Sequence, residues 1–259
     1  MSTTSPPRPT IFDCPVDSLT MDGALERADE VIAARGSMRF GAINAAKLVS
    51  MDQDRELGRA VRDCEVILAD GMGVVLAVGM LHRKRIKRLT GIDLMEQLVK
   101  RSAEKGYSIY FLGAKPEILD KMLKRFRDEY PGLKVAGQHH GYFSKEDESE
   151  IVQQIRDSKA DILFVAMGTP AKEMWIDRNH KSLGVPICMG VGGSFDVFSG
   201  YVKRAPRWLQ RIGLEWFFRF VQEPRRLFHR YFVVSLGFIF RVLGEALRKP
   251  FRGKEIARS

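Results

Sequence analysis

Cysteine is scarce in this sequence. Cys14, Cys64 and Cys188 stand far apart among 259 residues, with no C-x-x-C pair and no Cys/His spacing. That argues for a reducing compartment and against a disulfide framework or structural zinc. Long apolar runs are also missing. The longest candidate, YFVVSLGFIF at 231–240, lies between Arg230 and Arg241. It falls short of the roughly 20 apolar residues that a spanning helix needs. The opening residues, MSTTSPPRPT, contain no apolar segment of the kind a secretory signal requires. There are no internal repeats and no low-complexity tracts. No G-x-x-x-x-G-K-[ST] occurs, which speaks against P-loop chemistry, and GMGVVL lacks the third glycine of a dinucleotide fingerprint. These absences lead us to expect a cytoplasmic globular protein, touching a membrane at most from its surface.

What is present fits that expectation. Hydrophobic content of 45% and charged content of 29% are those of a folded chain, and the length suffices for a full core. The net charge of +10 is unevenly placed. Residues 204–259 hold 13 Lys and Arg against 4 Asp and Glu, so +9 of it lies there. A nearly neutral body with a cationic end implies an anionic partner engaged at that end. The same segment is aromatic: RAPRWLQRIGLEWFFR, 204–219, holds four arginines and two of the three tryptophans. It fits a surface that meets something both anionic and greasy.

From about Arg39 to Gly192, short apolar runs alternate with helix-length amphipathic stretches. FGAI (40–43), EVILA (65–69), SIYFLG (108–113), LKVAG (133–137), DILFVAMG (161–168) and PICMGVGG (186–193) read as buried strands. Such alternation predicts an α/β fold, a mostly parallel Rossmann-like sheet with helices on both faces. After Pro206 the alternation stops, and a basic, aromatic, helical appendage follows, with a helix expected over 227–250. We place the boundary at 203/204, giving a core of 1–203 and an appendage of 204–259. Ligands of open parallel sheets bind beyond the carboxyl ends of the strands. The turns there are INAAK, ADGMG, FLGAKP, GQHHGYF, MGTPAKE and GVGGSFD.

Several residues in or near these turns are candidates for chemistry. Asp70, directly after EVILA, is placed either to take a proton from a substrate hydroxyl or to cap the helix beginning near Gly73. Asp52 and Asp54 form a D-x-D, but a continuous helix VSMDQDRELGRAV would point them apart, so no metal site is expected. His139 and His140 read as lining or structural residues rather than zinc ligands. HRKRIKR (82–88) reads as a solvated loop from which one arginine reaches a phosphate. Tyr142 and Trp175 read as core aromatics or as stacking platforms for a base or sugar.

Taken in order, ADGMGVV, RLTGIDL, FLGAKP, HHGYF, MGTPAKEMWI, GVGGSFDVFSG, KRAPRW and GLEWFFRFVQEPRR resemble the WecG/TagA/CpsF glycosyltransferase family, glycosyltransferase family 26. The resemblance implies an inverting, metal-independent transferase with no cofactor. It implies a UDP-sugar donor and an acceptor sugar carried on polyprenyl diphosphate, at the inner face of the cell membrane. It also implies Asp70 as the catalytic base, Asn44 as the strand-end asparagine and Arg88 as the arginine before x-x-G-x-D-L. The sequence departs from the family pattern at Ala42, where threonine is frequent, and at Lys172, where P-K-Q-E has glutamine. On this reading the substrate-binding set is Asn44, Arg88, Lys172, Arg204, Arg207 and Arg211. The nucleotide-binding set is Tyr142, Gly168, Gly192, Gly193 and Asp196. The appendage is expected to bind the membrane and help close the active site, and a homo-oligomer is compatible with all of this. The rival reading is a nucleic-acid-binding protein using its basic tail, or a membrane scaffold without catalysis. Neither accounts for the strand-end motifs, so no nucleic-acid partner is expected.

Overall fold

The computed structural model describes residues 8–211, 213–222 and 234–255. A small antiparallel pair, β1 (Thr10–Ile11) and β2 (Cys14–Pro15), precedes a six-stranded sheet. Its strands are β3 (Met38–Ile43), β4 (Val66–Ala69), β5 (Ser108–Gly113), β6 (Lys134–His139), β7 (Ile162–Ala166) and β8 (Ile187–Gly190). They lie in the order β4-β3-β8-β7-β5-β6, and every pairing is parallel. The expected parallel α/β architecture is therefore what forms.

The strands alternate their side chains between two apolar layers, because successive strand residues point to opposite faces. Phe40, Leu68, Phe111, Phe164 and Met189 pack on one side. There they meet α1 (Met21–Ala33), α5 (Gly91–Lys105), α6 (Pro116–Glu129) and α9 (Ser194–Phe198). On the other side, Ile43 and Ile67 lie under α2 (Ala45–Gln53), α3 (Arg55–Arg62) and α4 (Met72–His82). Leu112, Leu163, Val165 and Cys188 lie under α7 (Glu148–Asp157) and α8 (Ala171–Leu183). Helices thus cover both faces.

Two local expectations change. The run at 133–137 was expected to be a buried strand, yet β6 is half-exposed along most of its length, with Lys134 and Gln138 in solvent. It sits at the sheet edge beside β5 alone, so burial on both sides is not available to it. The stretch VSMDQDRELGRAV is not one helix. Asp54 adopts an extended backbone between α2 and α3, and its Oδ1 accepts from the amides of Glu56 and Leu57 as the cap of α3.

Beyond the sheet come α10 (Arg207–Arg211), α11 (Glu215–Gln222) and α12 (Val234–Glu255). Of the helix expected over 227–250, positions 227–233 lie outside the described residues, and a helix is present from Val234. α12 returns to the body, where Phe238 and Val242 join the apolar layer beneath α2 and α4. Among the described residues no helix is long and apolar enough to cross a membrane.

Candidate active site

Asp70 follows β4 at the carboxyl edge of the sheet, where its amide donates to the carbonyl of Ile43 at 2.9 Å. Of its two expected alternatives, capping of α4 is not what occurs. The cap of α4 is Gly71, with no side-chain hydrogen bond. Asp70 Oδ1 instead accepts from the amide of Gly91, 3.0 Å away at the first turn of α5. That amide is one of the donors a helix start leaves without an internal partner. Oδ2 accepts no hydrogen bond from the described residues, and the side chain is half-buried. Asn44 stands beside it at the end of the neighbouring strand. Its Oδ1 caps α2 through the Lys47 amide at 3.0 Å. A methyl group on Gly71 would come to 3.1 Å of Asn44 Cβ, so the glycine lets the two strand ends approach.

The start of α8 brings a buried charge cluster to the same edge. Lys172 is only 6% exposed. Its Nζ lies 2.8 Å from Glu173 Oε1 and also donates to Thr169 Oγ1. Lys47 Nζ reaches the same Glu173 oxygen at 2.7 Å. Burial by itself would raise the Glu173 carboxyl, but Lys47 and Lys172 outweigh it and hold the group below its ordinary value. Two ammoniums thus share one carboxylate oxygen. Glu173 Oε2 is buried without a partner among the described residues. Glu173 and Lys47 also line a cavity of about 20 Å³, room for one water. Neither residue was singled out from sequence. The signal was the lysine ending INAAK and the glutamate ending MGTPAKE, two opposite charges at strand ends.

The glycine turns divide into two kinds. A methyl group on Gly190 would meet the Lys172 side chain at 3.2 Å, so this glycine makes room for that lysine, whereas one on Gly192 would stand in ordinary contact with it at 3.9 Å. Gly168 faces open space, and Gly193 has only Asp196 Oδ2 within 3.5 Å of such a methyl. Gly192 has a positive φ of 52°, which turns the chain from β8 into α9, where Asp196 stands in the first turn. Tyr142 is 67% exposed, beside a cavity of about 210 Å³ that His139, His140 and Asp147 help to line. Trp175 is buried in the core beside α7.

The arginines are engaged unequally. Arg204 Nη2 lies 2.5 Å from Asp93 Oδ1 on α5, and its Nε lies 3.3 Å from Glu215 Oε1 on α11. Arg88 donates to the carbonyl of Gln210 at 3.1 Å and lies 3.9 Å from Glu215. Both therefore fasten α10 and α11 to the body. Arg207 is exposed at the start of α10. Arg211 ends that helix, and its side chain lies outside the described residues. Among the described residues no three His, Cys, Asp or Glu side chains converge as metal ligands would.

An acid with one tethered oxygen and one that is unengaged among the described residues, on the carboxyl edge of a parallel sheet, can take a proton from a hydroxyl. The model of the Glycosyl transferase WecG/TagA/CpsF family matches residues 9–252. The chain belongs to this family. It is accordingly a glycosyltransferase, from a family that serves surface polysaccharide synthesis. Membership accounts for the order of the strand-end motifs along the chain and extends through most of α12.

Proposed function

We propose that the protein is an inverting, metal-independent glycosyltransferase. It moves a hexosyl or N-acetylhexosaminyl group from a UDP-sugar to an acceptor sugar on polyprenyl diphosphate. The observation that carries this reading is the Asp70 carboxylate, tethered through Oδ1 and unengaged at Oδ2. In the reaction, Oδ2 takes the proton of an acceptor hydroxyl as that oxygen bonds to the anomeric carbon from the face opposite the donor oxygen. The bond from the anomeric carbon to the diphosphate breaks, UDP leaves with the electron pair, and configuration inverts. Asn44 keeps its amide NH₂ for sugar hydroxyls. The open turns at Gly168 and Gly193 admit the nucleotide, with Asp196 and Tyr142 beside it. The Lys172 and Lys47 ammoniums, with Arg207 and Arg211, offset the charge that develops on the leaving diphosphate.

The product feeds a surface polysaccharide, a teichoic acid or an exopolysaccharide, and the enzyme works peripherally on the inner face of the cell membrane. A thermal-shift series with UDP, GDP, CDP and their sugar conjugates, each with and without EDTA, tests the reading. A bound nucleotide raises apparent stability by mass action. Stabilisation by UDP and a UDP-sugar that survives EDTA is expected. A shift that appears only with a divalent cation would remove metal independence, and none with any nucleotide would remove the donor class.

A further inference from the structure

The outward face of α4 has no role in the chemistry above. From Met72 to Leu81 the helix reads MGVVLAVGML, without one charged residue. Val74, Ala77, Val78 and Leu81 are buried against the body, which explains one side. The other side carries Met72, Leu76 and Met80, four residues apart and therefore in line. They are 37%, 64% and 54% exposed. A helix packed on one side normally turns polar residues to water on the other. This one offers a second apolar stripe.

The elements that touch α4 expose apolar side chains of their own. The Phe238 ring of α12 abuts Gly73, and Gly213, between α10 and α11, abuts Met72. Leu236, Ile239, Phe240 and Leu243 are exposed on α12, and the exposed Trp208 and Trp216 lie on the helices flanking Gly213. Directly after α4, Arg83, Lys84, Arg85 and Lys87 are all exposed. No Asp or Glu occurs between Gly71 and Ile92.

We infer that α4 and the 83–87 loop belong to a bilayer-docking face, with the outer stripe of α4 seated in the lipid interface and the loop on anionic headgroups. Apolar side chains beside exposed cations match the layered chemistry of a membrane surface. They match a second copy of the chain poorly. A two-fold contact over this stripe would bring like-charged loops together, and the stretch from Gly71 to Ile92 carries no acid to offset them. The inference rests on the transferase reading for its purpose. Asp70 immediately precedes α4, so a helix lying on the bilayer holds the base at the depth where a lipid-linked acceptor presents its sugar.

Co-sedimentation of the full chain with vesicles tests this, using phosphatidylcholine alone and phosphatidylcholine with roughly a third phosphatidylglycerol. Leu76→Ser with Met80→Ser should lower partitioning into both vesicle types by about tenfold or more. Because these side chains are exposed, melting temperature and turnover of a water-soluble acceptor should not change. Arg85→Ser with Lys87→Ser should weaken binding to the anionic vesicles alone, by about thirtyfold at low salt. Parent-like binding by both variants would overturn the proposal, as would a full chain that sediments with neither vesicle. A halved solution mass in the Leu76/Met80 variant would instead assign the face to a second copy. Sedimentation reports on the surface and soluble-acceptor turnover on the chemistry, so each reading can fail without the other.

Discussion

Asp70 holds its two carboxylate oxygens in different states, and that difference makes its replacement informative. Asp70→Asn retains an oxygen for the Gly91 amide, so the fold and the edge of α5 should be preserved. It removes the proton acceptor. Turnover should fall by roughly 10²–10⁴-fold, the usual worth of a general base, while donor binding measured by calorimetry stays near that of the parent. Lys172 poses a subtler question, because its partner Glu173 is already shared with Lys47. Lys172→Gln installs the glutamine that the family resemblance leads us to expect there and removes the Lys172 charge. If that charge meets a carboxylate on the donor sugar, binding of an acidic donor should weaken by about 1.4–4 kcal/mol relative to a neutral one. An unchanged ranking of acidic and neutral donors would assign the lysine to the diphosphate. The two residues also differ in legibility. Asp70 was visible because strand, acid and glycine turn are adjacent in sequence. The sharing of Glu173 was not, because it joins the first turn of α2 to the first turn of α8 across the sheet.

At the scale of elements, ion pairs join segments that hydrophobic periodicity alone does not order. Arg39 of β3 holds Glu65, just before β4, at 3.0 Å and Asp177 of α8 at 2.8 Å. Asp29 of α1 meets Arg101 and Lys105 of α5. Burial would raise Asp29, Glu65 and Glu173, yet their cationic partners prevail and all three lie below their ordinary values of 3.8 or 4.5. A carboxyl depressed by folding contributes stability above its unfolded pKa and loses it as pH falls through the folded one. The melting temperature should therefore be level from neutrality to about pH 5 and then decline steadily. Glu65→Gln should lower the neutral plateau and flatten that decline. The appendage is fastened in the same way. Arg204→Ala removes the side chain that joins buried Glu215 of α11 to Asp93 of α5. We expect a loss of about 1.5–3 kcal/mol, read as faster proteolysis within α11. Strand and helix order were legible here because period and turn residues are local. The edge position of β6 and the break at Asp54 were not, since each depends on a neighbour or a cap.

For the whole molecule, the question is how far the end of the chain is a separate body. The parallel sheet is complete before Arg204, which motivates the division at 203/204. Yet α12 comes back over α2, α4 and the turn between β1 and β2. Phe238 is 4% exposed and meets the Phe12 ring edge-on at 5.7 Å. Arg241 lies 4.2 Å over the centroid of the same ring and pairs with Asp52. These contacts involve the rim of the apolar layer beneath α2 and α4, not the central strands β3, β8 and β7. Phe238→Ala removes a buried aromatic, a change that costs about 3–5 kcal/mol where surroundings cannot collapse. A helix at the margin can release instead of transmitting that loss, because proteins open in cooperative units of different stability. Hydrogen exchange should therefore show amides of α12 losing protection while those of β3, β7 and β8 keep theirs. Such a pattern would support an appendage that docks on a self-sufficient core. Equal loss in the central strands would make α12 part of one cooperative unit and move the boundary beyond it. The same variant also bears on the active site. Gly73 abuts Phe238 from the first turn of α4, the helix that Asp70 precedes, so release of α12 uncovers the first turn beyond the base. Turnover on a lipid-linked acceptor should then fall more than turnover on a soluble one, and equal losses would confine the role of α12 to stability.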